Sequence, residues 1–273
     1  MAGIKKIAFF GHGRNLQAGN PHSFFERWKR FWATKTGWWF AYTPSTKAYL
    51  MKLGYPAEKI TVFYNSIDIS HIRSDLQNLR EEDIIRARSR VSVQGNNVAV
   101  YVGGIYREKR IRFLLEAAVE IRKIVPDFEL IVVGGGDEAH LITEASHLYD
   151  WIKYTGPLFG AEKTAVVKLA KVFLMPGLVG LAILDAFAYG IPLVTSDLPY
   201  HSPEIDYLDN GVNGVMTMDP DDVSEYAQAV SEILTNEVHR QELIEGGSRS
   251  LSALGIERMS ERFAEGVLKA LSQ

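Results

Sequence analysis

A chain of 273 residues, 47% hydrophobic and 23% charged, has the composition of an ordinary globular protein with room for one large domain or two modest ones, which excludes disorder as its class. Its formal charge of -3 offers no basic face to displace counterions from phosphates, so no nucleic acid is expected as a partner. The lack of cysteine removes disulfides, thiolate catalysis and cysteine metal sites. No apolar run approaches the roughly 20 residues of a membrane span, and the opening MAGIKKIAFFGHG lacks the apolar core of a signal peptide, so the cytoplasm is the expected compartment.

The front of the chain reads as a small α/β lobe over residues 1–70. Ile7 to Phe10 is an apolar strand ending in Gly11-His12-Gly13-Arg14-Asn15, and Phe24 to Trp32 is a helix. Trp38 to Tyr42 is a strand, Thr46 to Leu53 a helix and Ile60 to Tyr64 a strand, followed by Asn65-Ser66-Ile67-Asp68. About 70 residues is near the lower limit for an independent core, so the lobe is expected to lean on the larger domain, on a partner chain or on a second copy of itself. Arg27-Trp28-Lys29-Arg30-Phe31-Trp32, with Lys35, Trp38 and Trp39, mixes cations and aromatics. Either the rings form the lobe's own core, or they are left uncovered and meet a partner, a membrane interface or a lipid-linked acceptor.

Residues 71–96 read as a linker and helix. From Asn97 onward strands and helices alternate: strands at Val98–Val102, Phe128–Val133, Ile152–Tyr154, Phe173–Met175, Ile191–Thr195 and Val215–Met216. Helices fall at Ile111–Ile124, Asp137–Leu148, Glu162–Lys171, after Gly180, at Asp221–Leu234 and at Glu237–Gly246. This alternation predicts a Rossmann-like parallel sheet over residues 97–255, with a last helix over 256–273 packing back on the first lobe. No internal repeat or low-complexity segment interrupts it.

Ligands of such sheets bind outside the carboxyl ends of the strands. Three loops there carry glycine: Gly103-Gly104-Ile105-Tyr106-Arg107-Glu108-Lys109-Arg110, Gly134-Gly135-Gly136-Asp137 and Thr155-Gly156-Pro157-Leu158. Two glycines let a phosphate approach the backbone, and the cations behind them could neutralise it. The bland alternative is a basic surface helix start and turns that need glycine for themselves. Gly180 precedes an apolar helical run, so the N–H groups of Leu181, Ala182 and Ile183 would be open to an anion. Asp185, one turn further in, is suited to gripping a pair of sugar hydroxyls. Phosphate and hydroxyl recognition side by side point to a sugar nucleotide.

The run from Pro176 through Gly190, Pro192 and Val194 resembles the signature of the retaining GT-B-fold glycosyltransferases of family 4 (glycosyltransferase group 1). Residues 98 to 217 follow that family's order, with Gly103, Lys109, Gly134 to Asp137, Gly156, Glu204 and Asn210 to Gly214 falling on its features. The front half resembles the second part of its acceptor domain, with His12 on a family histidine and Asn65 to Asp68 on "N-g-i-D". Three positions depart from the pattern: Gly177 replaces the first of two family glutamates, Asp185 replaces the second, and Gly104 replaces an arginine. About a hundred residues that precede the family histidine have no counterpart here. The fold class implied is α/β and GT-B-like: a parallel-sheet donor-binding domain plus a truncated N-terminal lobe.

The resemblance implies transfer of a hexosyl group, with retention, from a nucleoside diphosphate sugar, UDP- or GDP-linked, to a glycan or lipid-linked acceptor. Gly103, Gly104, Arg107, Lys109, Gly180 and Leu181 would bind the donor diphosphate, Asp185 the ribose, and Gly156, Pro157 and Leu158 the base. His12 would act as the catalytic residue, hydrogen-bonding the donor sugar or settling charge during transfer. None of the other histidines has ligand spacing, so no metal and no cofactor beyond the donor is expected. Three alternatives remain open: a binding subunit without turnover, one half of a split transferase completed by a partner chain, and an epimerase of the same fold.

Overall fold

The computed structural model describes residues 7–13, 28 and 31–272. The chain divides into two compact units, the smaller made of Met1–Asp68, Pro199–Tyr207 and Ala253–Gln273 and the larger of Ile69–Leu198 and Leu208–Ser252. The expected helix at Phe24 to Trp32 lies mostly outside the described residues; of its span, Trp28, Phe31 and Trp32 are helical.

The smaller unit is built on a parallel three-stranded sheet, β1 (Ala8–Gly11), β2 (Trp38–Ala41) and β3 (Ile60–Val62), in that order. Helix α1 (Pro44–Lys52) starts where Thr43 accepts a hydrogen bond from the Thr46 N–H and proline occupies the first turn. Successive residues of β2 point to opposite faces, so the adjacent tryptophans go to different cores. Trp39 joins Ala33, Leu50, Tyr55 and Ile60 on one face, and Trp38 joins Phe40 and Phe63 on the other. Each indole N–H has a partner, Trp38 on the Thr61 hydroxyl at 3.0 Å and Trp39 on the Ala33 carbonyl at 2.6 Å. Trp28, Phe31 and Trp32 remain exposed. The aromatic stretch thus serves as core at 38–39 and as surface at 28–32.

The larger unit follows the alternation seen in the sequence. Helices α2 (Ser70–Asn78) and α3 (Glu81–Arg90) come first. Then follow β4 (Asn97–Val102), α4 (Ile111–Ile124), β5 (Phe128–Val133), α5 (Ala139–Leu148), β6 (Ile152–Gly156), α6 (Gly160–Val167) and β7 (Val172–Leu174). Helix α7 (Ala182–Tyr189), β8 (Leu193–Ser196), β9 (Gly214–Thr217), α8 (Val223–Thr235) and α9 (Glu237–Leu254) complete it. All six strands are parallel in the order β6-β5-β4-β7-β8-β9. Residues 98–101, 128–133 and 193–196 are buried throughout, which is why these strands read as continuous apolar runs rather than alternating ones.

Helix α4 buries Ile111, Leu114, Ala117, Ala118 and Ile121, the i, i+3, i+4 stripe of an amphipathic helix. Gly190 ends α7 in the left-handed conformation at φ 66°. Pro199–Tyr207 lies in sequence between β8 and β9 yet belongs to the smaller unit. The last helix, α10 (Ile256–Ser272), also belongs there, with Met259, Val267 and Ala270 packed on the Trp38, Phe40 and Phe63 face.

Candidate functional site

Strand order reverses between β4 and β7, and in open parallel sheets that switch point is where a crevice forms outside the carboxyl ends. The loops that leave β4 and β7, 103–110 and 175–181, therefore lie side by side. They are tied to each other. The Leu178 N–H donates to the Glu108 carbonyl at 2.8 Å, and the Lys109 ammonium donates to the Leu178 carbonyl at 2.6 Å, with the Met175 sulfur at 3.8 Å. Lys109 is only 7% exposed, and burial pushes its ammonium down to about 8.

Gly177 explains how the two loops come so close. A Cβ at this position would fall 2.5 Å from the Lys109 Cα and overlap the Glu108 carbonyl. The family glutamate is thus replaced where this backbone has no space for a side chain. Gly104 is similar: a Cβ there would meet the Tyr106 ring at 2.7 Å, so the aromatic ring stands beside the place of the family arginine. The Gly104 carbonyl accepts from the Tyr101 hydroxyl at 2.5 Å.

The turn Arg107–Lys109 is a short 3-10 helix, and Arg110 follows it in the left-handed region at φ 56°. Arg110 is committed to structure: its guanidinium donates to the Pro220 carbonyl at 2.5 Å and to Asp221 at 2.6 Å, and lies 4.2 Å from the Phe113 ring centre. Arg107 is exposed and forms no ion pair with a described residue.

The glycines of the next two loops serve loop-to-loop packing. Gly103 N–H donates to Val133, Ile105 N–H to Gly135, and Gly134 N–H to Gly156, each at 3.0 Å. Gly134 sits at φ 144°, where a Cβ would overlap the Gly103 carbonyl. Gly156 has φ 69° and open space around it, and Pro157 approaches Gly135. Leu158 lines a cavity of about 450 Å³ with Tyr154, Thr155, Val91, Ser92 and Arg90.

Of the three N–H groups expected to be open at the Gly180 helix, the structure corrects one. Ile183 N–H donates to the Gly180 carbonyl at 3.3 Å, because the chain tightens into a single turn before α7 begins. Gly180 and Leu181 are half-buried. Asp185 points from the first turn of α7, and its carboxyl is raised by burial, partly offset by the charges of Lys163 and His71. It accepts no hydrogen bond from a described residue. Around it, the Thr164 hydroxyl donates to Asp75 at 3.2 Å and lies 3.4 Å from the Tyr189 hydroxyl, tying α2, α6 and α7 together.

The smaller unit holds a second set of polar groups at the carboxyl ends of its strands. The His12 ring sits edge-on to Tyr42 at 4.8 Å. Asn65, after β3, donates its amide to Glu204 at 2.7 Å. Glu204 is 3% exposed. Its approach to Asn65 spans 139 positions of sequence, so no local spacing announces it; the only signal was its place in a family segment. Among the described residues no group of three or more His, Asp or Glu is placed to hold a metal ion, and no helix is long and apolar enough to cross a membrane.

A sequence model described as glycosyl transferases group 1 matches residues 96–236, just over half of the chain. The phosphatidyl-myo-inositol mannosyltransferase of Mycobacterium leprae is 29% identical over 154 residues, 54% of this chain and 40% of that protein. The alpha-D-kanosaminyltransferase of Streptomyces kanamyceticus is 24% identical over 218 residues, 75% of this chain and 54% of its own length. The matched region is thus about half or less of each relative. Among solved structures, Anabaena HepE in complex with UDP superposes with a TM-score of 0.77 at 17% identity, covering 95% of this chain and 71% of that one. The pneumococcal O-GlcNAc transferase GtfA in complex with UDP and GlcNAc gives 0.67 at 18% identity, covering 92% and 48%. These likenesses make the fold that of the GT-B glycosyltransferases.

Proposed function

Because the chain belongs to the glycosyl transferases of group 1, we propose that it moves a hexosyl group from a nucleoside diphosphate sugar to a glycan or lipid-linked acceptor, with retention at the anomeric carbon. The observation that carries the proposal is the buried Lys109 ammonium at the β4/β7 switch point. An ammonium has three N–H donors, and the Leu178 carbonyl takes one of them in a strong bond. A diphosphate oxygen is the natural acceptor for another, and its charge repays the desolvation that burial imposes.

In this mechanism the bond between the anomeric carbon and the diphosphate oxygen breaks as positive charge builds on the sugar, and an acceptor hydroxyl oxygen bonds to that carbon on the same face while its proton passes to the departing diphosphate oxygen. The departing diphosphate is held by Lys109, Arg107, the Gly103 and Gly104 backbone and the N–H groups at Gly180 and Leu181. Asp185 takes the ribose hydroxyls, and the loop Gly156-Pro157-Leu158 meets the base. His12 hydrogen-bonds the donor sugar or settles charge during transfer. No protein nucleophile and no metal is required. The donor is UDP- or GDP-linked, with UDP favoured by the ligands of HepE and GtfA. We place the reaction in the cytoplasm, with Trp28, Phe31 and Trp32 as the peripheral contact to a membrane or to a partner chain.

Calorimetric titration with UDP, GDP, ADP and their sugar conjugates, followed by donor hydrolysis on any binder, tests this. Saturable binding of one diphosphate with sugar release supports a transferase. Binding without release identifies a subunit that lacks turnover, and failure of all three to bind overturns the proposal.

A further inference from the structure

Helices α2, α3 and α6 enclose a cavity of about 440 Å³ within the larger unit. Its wall is apolar, formed by Leu79 between α2 and α3, Ala87 of α3, and Ala161, Ala165 and Val166 of α6. Alanine at three of these positions leaves open a gap that larger side chains would close. The volume is that of a small-molecule site, and walls of methyl groups give water few of the polar partners it needs to settle there.

Charge singles out one residue of the lining. Both arginines are already paired, Arg86 with Asp83 and Arg90 with Glu162. Asp75, half-buried, accepts from the Thr164 hydroxyl at 3.2 Å and forms no ion pair with a described residue. The cavity therefore carries one uncompensated charge, and it is negative. An anion is repelled there, and a neutral apolar body would desolvate Asp75 without a counter-charge. An ammonium carried on an apolar body satisfies the carboxylate and the wall together, in a setting where the pair attracts more strongly than in open water.

The cavity is separate from the loops 103–110 and 175–181, none of whose residues line it. At 3.6 residues per turn, Ala161, Glu162, Ala165 and Val166 share one face of α6, while Lys163, whose charge acts on Asp185, falls on the other. Helix α6 thus presents one side to the cavity and the other to the residue assigned to the ribose.

We propose that the cavity between α2, α3 and α6 binds a small organic cation, an amine with an apolar body whose ammonium pairs with Asp75. This site does not depend on the transferase reading.

Ligand-observed NMR titration of the whole chain with 2-phenylethylamine tests it, beside the neutral 2-phenylethanol and the anionic phenylacetate, with UDP titrated in parallel. The amine is expected to bind saturably and about tenfold more tightly than the alcohol, and phenylacetate more weakly than either. Asp75→Asn removes the charge, keeps an acceptor for the Thr164 hydroxyl, and is expected to bring the amine down to the affinity of the alcohol. Should Asp75→Asn fail to fold, Ala161→Phe fills the cavity from its exposed rim and is expected to abolish binding of the amine. No saturable binding of the amine, equal binding of amine and alcohol, or affinities unchanged in the variants overturns the site. A chain that binds UDP and ignores the amine refutes this site alone, whereas one that binds the amine and never UDP keeps the site and loses the transferase reading.

Discussion

Gly177 and Lys109 are packed backbone to backbone, so that a Cβ on the glycine would lie 2.5 Å from the lysine Cα. This contact lets the Leu178 carbonyl accept from the Lys109 ammonium while the Leu178 N–H donates to the Glu108 carbonyl. The departure from the family pattern at 177 is therefore part of how the 107–110 turn is seated. Gly177→Glu is expected to destabilise the protein by about 2–3 kcal/mol through forced backbone displacement and to give no gain in donor hydrolysis. Urea denaturation and a hydrolysis assay measure both; a restored or increased activity would show that the loops open readily.

Lys109 gives a pH signature. Its folded-state value of about 8 lies below the ordinary 10.5, so between these values the unfolded chain binds more protons and stability rises with pH. Lys109→Met should abolish that rise, seen as the difference between wild-type and variant stability from pH 7 to 10.5. Binding of a diphosphate recharges the ammonium, so titration of UDP near pH 8 in buffers of different ionisation heat should reveal proton uptake.

Asp185 sets stability against binding. Burial raises its carboxyl, so just above pH 3.8 the folded state holds the proton more tightly and stability falls as pH rises through that window. At neutral pH the carboxylate is a cost. Asp185→Asn is expected to raise Tm by a few degrees while weakening nucleotide binding roughly tenfold, the exchange common at functional positions. Thermal melts at pH 7 beside calorimetry check it, and unchanged affinity would remove Asp185 from the ribose site.

Two glycines of similar appearance should behave differently. Gly134→Ala places a Cβ on the Gly103 carbonyl at φ 144°, whereas Gly156→Ala at φ 69° meets open space. The first is expected to cost about 3 kcal/mol or more, the second about 1. Equal losses in denaturant unfolding would mean that the interlocked loops are not rigid.

The strands from Val98 to Met216 were legible because parallel strands buried on both faces leave apolar runs between turn residues, and their ends fall within about two positions of the sequence boundaries. The helices at Ile111 and Val223 announced themselves through apolar spacing. What the residues could not announce was pairing across long separations. The seat of Gly177 on Lys109 and the bond from Asn65 to Glu204 join distant segments, and neither has a local pattern. Lys109 likewise looked like one of three surface cations, and only the fold buries it while leaving Arg107 outside. The division of the tryptophans between core and surface depends on strand register, which composition does not contain.

The assignment of Pro199–Tyr207 and α10 to the smaller unit has a consequence for synthesis. That unit is assembled from three stretches, the last of which leaves the ribosome after the larger unit has been made. The larger sheet is complete by residue 217, so it can fold while the chain is still being made, whereas Trp38, Phe40 and Phe63 wait for Met259, Val267 and Ala270. Until then the small sheet carries an uncovered aromatic face, an interval in which a chaperone has that surface to hold.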